Sequence, residues 1–183
     1  MGSRSLSATG RAGRLSVEGG GTLVGRAAPG PVWFPGHGRT REEPEGLRPQ
    51  PAMIPVADTG LLVGFLDRAD QYHAWAAERI GQLRQSLVTC EAVIAETEYL
   101  VPRSGPLLME MIDRGTLQVV SLLPRESAAI GALMGRYPRM QFADACVVRL
   151  SAMISGAVVF TTDKQDFSIY RRNPKDRIEA VTP

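Results

Sequence analysis

Residues 53–183 of this chain predict an α/β fold: a mostly parallel sheet of four to five strands covered by helices on both sides, preceded by a disordered amino-terminal extension. Three observations lead there. Short apolar runs alternate with helix-length segments, the pattern of strand–helix crossover units. The run Ala157-Val158-Val159-Phe160 is continuous and apolar, as a strand buried on both faces must be. Residues 1–52 differ in composition from everything that follows.

Ile54-Pro55-Val56-Ala57 reads as the first strand and ends at Asp58; its proline suits only a strand's start. Thr59 to Leu66 reads as a short helix, followed by a polar break through Asp67 and Asp70. Gln71 to Arg84 is a second helix and Leu87-Val88-Thr89 a second strand. Glu91 to Val101 is helical and stops at Pro102. Gly105 to Arg114 is another helix, Leu117 to Leu122 a third strand, and Arg125 to Arg136 a helix that stops before Pro138. Phe142 to Ser155 is a long helix closed by Gly156. Ala157 to Phe160 is the fourth strand, and Ile178 to Val181 a short fifth.

The first 52 residues hold 11 of the 19 glycines and 6 of the 13 prolines, with seven arginines, no lysine and no aspartate. No helical or strand period survives there, so the segment cannot bury enough apolar surface to offset its ordering entropy. It carries a net charge of +3, whereas residues 53–183, with fourteen basic and fifteen acidic side chains, carry −1. The segment reads as a non-native leader, with the native product beginning at Met53, or as a nucleic-acid-binding arm. Intact-mass measurement of the endogenous protein separates the two, since a leader leaves no mass before Met53.

No apolar run approaches the roughly 18 residues of a membrane span, and no signal-like apolar block follows the early arginines. Cys90 and Cys146 form no Cys-x-x-Cys pair and read as small buried hydrophobes of a reduced, cytoplasmic protein. His37 and His73 form no ligand spacing with them, and His73 with Trp75 reads as packing or capping on its helix.

The carboxylates carry the functional signal. In an open parallel sheet, reactive groups collect beyond the carboxyl ends of the strands. Asp58 follows the first strand directly, and Asp163 follows the fourth after two threonines. Glu96 shares a helical face with Val93, Tyr99 and Leu100, whereas Glu91 and Glu98 fall on another face and read as solvated. Asp144 opens the long helix among Ala143, Ala145, Val147 and Val148. No basic residue stands at helical spacing from Glu96 within its helix, and Arg149 lies off the face of Asp144. Buried charge needs a partner, and four gathered carboxylates suit magnesium or manganese, hard cations that prefer oxygen ligands. Taken singly, each has an ordinary role: Asp58 and Asp144 as helix caps, Asp163 as the start of a turn, Glu96 as the partner of a distant arginine. Their common placement is what points to a site.

Four segments resemble the PIN-domain family, in particular its VapC-like branch. They are Val-Ala-Asp-Thr-Gly-Leu-Leu-Val around Asp58, Thr-Cys-Glu-Ala-Val-Ile-Ala-Glu-Thr-Glu-Tyr-Leu around Glu96, Phe-Ala-Asp-Ala-Cys-Val-Val at Asp144, and Phe-Thr-Thr-Asp-Lys-Gln-Asp-Phe with Tyr170-Arg171 after Asp163. The resemblance implies a three-layer α/β/α sandwich and an acidic site for magnesium or manganese. It implies endoribonuclease activity restrained by a cognate antitoxin protein, and a homodimer. The acidic set carried over is Asp58, Glu96, Asp144 and Asp163, with Thr161 as a supporting hydroxyl. Many relatives have an acidic residue where this chain has Gln141, which implies a weakened second metal position and leaves the metal count open.

On this basis Asp58, Asp144 and Asp163 are expected to ligate the metal, with Glu96 as a ligand or water-orienting base. Lys164, Arg171 and Arg172 are the expected RNA contacts, or they only solubilise a loop. The chain offers no Ser-His-Asp or Cys-His arrangement, and Thr59-Gly60 after Asp58 disfavours an aspartyl-phosphate phosphatase. The alternatives that remain are a catalytically weak or inactive RNA-binding module and a DNA-directed nuclease.

Overall fold

Five strands, β1 (Ile54–Ala57), β2 (Leu87–Cys90), β3 (Leu117–Val120), β4 (Ala157–Phe160) and β5 (Ala180–Val181), pair in parallel in the order β3-β2-β1-β4-β5. This computed structural model describes residues 53–183; the extension expected over residues 1–52 lies outside the described residues. Every residue of β2 and of β4 is buried, as strands covered on both faces require. The chain builds outward from β1 to β3, then returns to add β4 and β5 on the other side of β1. The strand order therefore reverses between β1 and β4, and such a switch point opens a crevice at the carboxyl ends of the strands.

Seven helices connect the strands: α1 (Thr59–Leu66), α2 (His73–Gln82), α3 (Glu91–Leu100), α4 (Gly105–Asp113), α5 (Leu123–Arg136), α6 (Phe142–Met153) and α7 (Lys164–Ile169). The result is the three-layer α/β/α arrangement. α6 packs on β1, β2 and β4 and against α3 and α5. Its Ala143, Ala145, Cys146, Val147, Val148, Leu150 and Ser151 are all buried, and a helix apolar on most sides is one enclosed by its neighbours. Leu61 and Leu62 of α1, Val93 of α3 and Val147 of α6 are each 0% exposed and join Val56 and Val159 in the core. Among the described residues no helix is long and apolar enough to cross a membrane.

Several boundaries differ from the sequence expectation, each for a local reason. α2 starts at His73 rather than Gln71, because the Asp70 carboxylate takes the Tyr72 N–H at 2.7 Å and holds a turn there. His73 itself lies 2.9 Å through Nδ1 from the Gly64 carbonyl, a packing and capping role. α5 starts at Leu123, with Pro124 in its first turn, where a missing N–H is harmless. β3 correspondingly stops at Val120. α6 ends at Met153, ahead of Gly156 at φ 74°. α7 was not expected as a helix.

Gly60 marks the tightest approach between α1 and the segment after β4. A Cβ there would stand 2.1 Å from Thr162 Oγ1 and 3.2 Å from both the Thr162 Cβ and its backbone nitrogen. The threonine hydroxyl can rotate away, but the other two atoms move only with the chain. Gly60→Ala should therefore destabilise the protein by about 1–3 kcal/mol, the usual range for overpacking. A denaturant midpoint unchanged from wild type would show that this segment yields freely.

Candidate active site

Four parallel pairs, from Ile54↔Ala157 to Ala57↔Phe160, align β1 with β4. The Asp58 N–H donates to the Phe160 carbonyl at 3.1 Å, so the pairing continues one residue beyond the strand. Asp58 and Thr161 thereby stand side by side, and the Thr161 hydroxyl donates to Asp58 Oδ2 at 2.7 Å. Asp58 is 4% exposed, and its Oδ1 has no hydrogen-bond partner. It occupies the N-cap position of α1, yet its side chain makes no cap bond to the helix. The ordinary capping role thus fails to account for this carboxylate.

Burial drives the Asp58 carboxyl up to about 6. The Thr161 hydroxyl leads in opposing the rise, the Thr59 and Gly60 N–H dipoles at the start of α1 add to that without making a geometric hydrogen bond, and the charge of Glu96 acts the other way. Asp144, half-buried at the start of α6, is pushed up to about 7 by burial and then by the charge of Asp58, with Glu96 adding further. The Gln141 N–H and the Tyr170 hydroxyl pull it the other way. Glu96 is half-buried and accepts a 2.5 Å hydrogen bond from the Thr59 hydroxyl. Asp58, Glu96 and Asp144, from three separate segments, therefore lie within one another's electrostatic reach.

Asp163 is placed differently. Its N–H donates to the Thr161 hydroxyl at 2.9 Å, which brings its backbone to the edge of the cluster. Its side chain, however, is exposed and caps α7 by accepting the Asp166 N–H at 2.8 Å. Thr161 is 0% exposed and links the two, donating to Asp58 and accepting from Asp163.

The three expected substrate contacts have different surroundings. Lys164 is exposed in the first turn of α7. Arg171 donates through Nη1 to the carbonyls of Ser168, Ile169 and Tyr170, closing the carboxyl end of α7. Arg172 donates to the carbonyl of Ala157, the first residue of β4, at the end of the strand away from the acidic cluster.

Sequence reasoning missed two hydroxyl residues. Thr59 holds Glu96, and Tyr170, 3% exposed, reaches both Asp144 and Asp166. Burial, then the charges of Asp144 and Asp166, push the Tyr170 phenol above its ordinary value. Glu98 also departs from expectation. It accepts from the Ser104 hydroxyl and the Arg103 N–H, and the Ser104 bond leads in holding its carboxyl below the usual range. Cys90 and Cys146, far apart in sequence, are both buried, and the Cys146 thiol leads in holding that of Cys90 below its ordinary value.

Among the described residues, no three acidic, histidine or cysteine side chains are gathered closely enough to hold one metal ion between them. The donor chemistry nevertheless fits a hard divalent cation. Asp58 presents a buried, unpartnered carboxylate oxygen, and two further carboxylates raise its pKa or have their own raised by its charge. Among the described residues no ion pair involves Asp58, Glu96 or Asp144.

The profile of the PIN domain matches residues 56–173. No curated protein matches the chain. Among solved structures, VapC20 of Mycobacterium tuberculosis, described as a sarcin-ricin loop cleaving toxin, has a similar fold, with a TM-score of 0.52 and 17% identity over 61% of this chain and 91% of that one. VapBC2 from Rickettsia felis, bound to a DNA fragment from its promoter, aligns with a TM-score of 0.48 and 15% identity over 70% of this chain and 99% of that one.

The raised carboxyls set a pH dependence of stability. Asp58 and Asp144 have folded-state values above their common unfolded value of 3.8. The native state therefore binds more protons between pH 3.8 and about 7, and stability falls as pH rises through that window. For Asp58 alone a rise of about two units corresponds to about 3 kcal/mol. In the presence of a chelator the melting midpoint should be lower at pH 8 than at pH 5, and added Mn2+ should narrow the difference. A midpoint that climbs over this range would mean that neither carboxyl is held out of water.

Proposed function

Since the chain belongs to the PIN domain family, we propose that residues 53–183 form a metal-dependent endoribonuclease, the toxin of a VapBC-type toxin–antitoxin pair. The observation that carries the reading is the buried Asp58 oxygen beside Glu96 and Asp144, an arrangement of negative charge that no cation among the described residues balances. Asp58 and Asp144 would hold magnesium or manganese, with Glu96 beside them as the water-orienting base and Asp163 at the edge of the site. When bound, such an ion supplies Lewis acidity, which acidifies the attacking water and offsets charge on the phosphoryl group.

The chain's own residues prepare the site. Thr161 and Thr59 fix Asp58 and Glu96 in single orientations by neutral hydrogen bonds that leave their charges in place. Glu96, not committed to the ion in this reading, would accept the proton of the attacking water as it adds to phosphorus, and the departing ribose oxygen would take a proton from solvent. Lys164 is the basic side chain best placed to meet an incoming phosphate, since Arg171 and Arg172 are engaged with backbone carbonyls. Tyr99 and Leu100 on α3 and Leu107 and Met109 on α4 remain exposed, apolar surface available to an antitoxin or a second copy of the chain in the cytoplasm.

Asp58→Asn removes the charge and keeps the shape. It should reduce Mn2+-dependent RNA cleavage by at least about 100-fold while raising the melting midpoint of the metal-free protein at pH 8, because the buried charge is gone. Cleavage at the wild-type rate would exclude Asp58 from the chemistry. Parallel reactions on single-stranded DNA test the substrate class, and preferential DNA cleavage would replace the ribonuclease assignment.

A further inference from the structure

Tyr170 follows α7, where the aliphatic and aromatic pattern alone would make it a packing residue. Its ring does pack, edge-on against Tyr137 with centroids 5.2 Å apart and against Phe167 at 5.6 Å. Packing does not explain its hydroxyl. That oxygen lies 3.3 Å from Asp144 Oδ2 and 3.3 Å from Asp166 Oδ2, so a single phenolic proton is shared between two carboxylates. The residue is 3% exposed, and little water is available to satisfy the second acceptor.

We propose that Tyr170 is a positioning residue for the metal site: its hydroxyl, together with the Gln141 N–H, holds Asp144 by one oxygen, Oδ2, and so presents the other, Oδ1, to the cation. The inference rests on the nuclease reading above. Asp144 needs such a device more than its neighbours do. Asp58 is fixed by Thr161 and Glu96 by Thr59, each through a hydroxyl donor at 2.7 Å or less. The other restraint on Asp144 is the capping box of α6, in which its carboxylate accepts the Gln141 N–H at 3.4 Å while the Gln141 side chain accepts from the Asp144 backbone. Tyr170 supplies a third hydroxyl, at 3.3 Å a longer contact than the other two and one divided with Asp166. Each acid of the cluster is thus oriented by a neutral donor from a different element. Groups that orient metal ligands typically change metal affinity by about 10- to 100-fold when removed. Asp166 competes for the same proton and ties the start of α7 to the arrangement.

Tyr170→Phe retains both edge contacts and deletes only the hydroxyl. Mn2+ affinity, read by calorimetry, should fall about tenfold. The melting midpoint in chelator should stay within a few degrees of wild type. Cleavage at limiting Mn2+ should fall by the same factor and recover at saturating Mn2+, with KM for RNA unchanged. Tyr137→Phe, the neighbouring ring, should leave Mn2+ affinity as it is. Equal Mn2+ affinity in Tyr170→Phe and wild type, or an equal loss in Tyr137→Phe, would overturn the proposal and leave Tyr170 a packing residue. A wild-type chain that binds no Mn2+ would overturn the nuclease reading itself, and this inference with it.

Discussion

Carboxylates drawn partly out of water at one end of a parallel sheet oppose their own ionisation, and the character of this site follows from that repulsion. Burial alone raises Asp58, and the charge of Glu96 raises it further; Asp58 in turn raises Asp144. Hydrogen bonds from Thr161, Gln141 and Tyr170 act in the opposite direction, yet the balance stays upward for both aspartates. A site in this condition gains most from a species that removes the repulsion at its source. A proton does so for one carboxylate at a time, whereas a divalent cation offsets more than one negative charge at once.

The rest of the fold must supply the stability that the acidic end withdraws. β1 and β4 do this through four consecutive parallel pairs and the bond from Asp58 to Phe160, with Val56 and Val159 fully buried between the helical layers. Register matters here as much as burial. Successive side chains in a strand point to opposite faces, so a slip of one residue would turn Thr161 away from Asp58 while also exposing the apolar set. The same pairing therefore specifies both the core and the first contact of the site. α6 plays a comparable double part, since the helix that begins with Asp144 continues into the buried run Cys146-Val147-Val148.

The elements that proved easiest to read were those whose burial leaves a period or an unbroken run. β1 and β4 fall at the bounds their apolar runs suggest, and α1 at Thr59–Leu66 likewise. α7 was illegible because six residues, Lys164–Ile169, are too few to show a period and its cap comes from Asp163, a residue read for its chemistry instead. The face assigned to Glu96 was legible only in part: Val93 is buried, but Tyr99 and Leu100 are 82% and 54% exposed. What holds Glu96 is Thr59, 37 residues away in sequence, and helical spacing carries no information about such a partner. Glu98 illustrates the same limit. Its period places it on a polar face, whereas the turn after Pro102, with Arg103 at φ 74°, brings Ser104 back onto it. Sequence position located the acids and Thr161; the other two orienting hydroxyls, Thr59 and Tyr170, are brought in by folding.

That the orienting groups are hydroxyls and amides, rather than lysines or arginines, has a physical consequence. An arginine paired with Asp144 would neutralise it as well as orient it, and a cation would then have to displace the guanidinium to bind. Arg149, the basic residue nearest to Asp144 along α6, instead pairs with Glu126 of α5 at 2.7 Å. Neutral donors separate the two tasks. They restrict the rotamers of the acids, which lowers the entropy lost when a ligand arrives, and they leave the negative potential intact for that ligand. The metal-free protein bears the electrostatic strain as raised carboxyl pKa values, and relief of that strain becomes part of the binding free energy. Affinity for a small, hard, doubly charged ion thus arises from what the fold withholds from its own aspartates as much as from what it places around them.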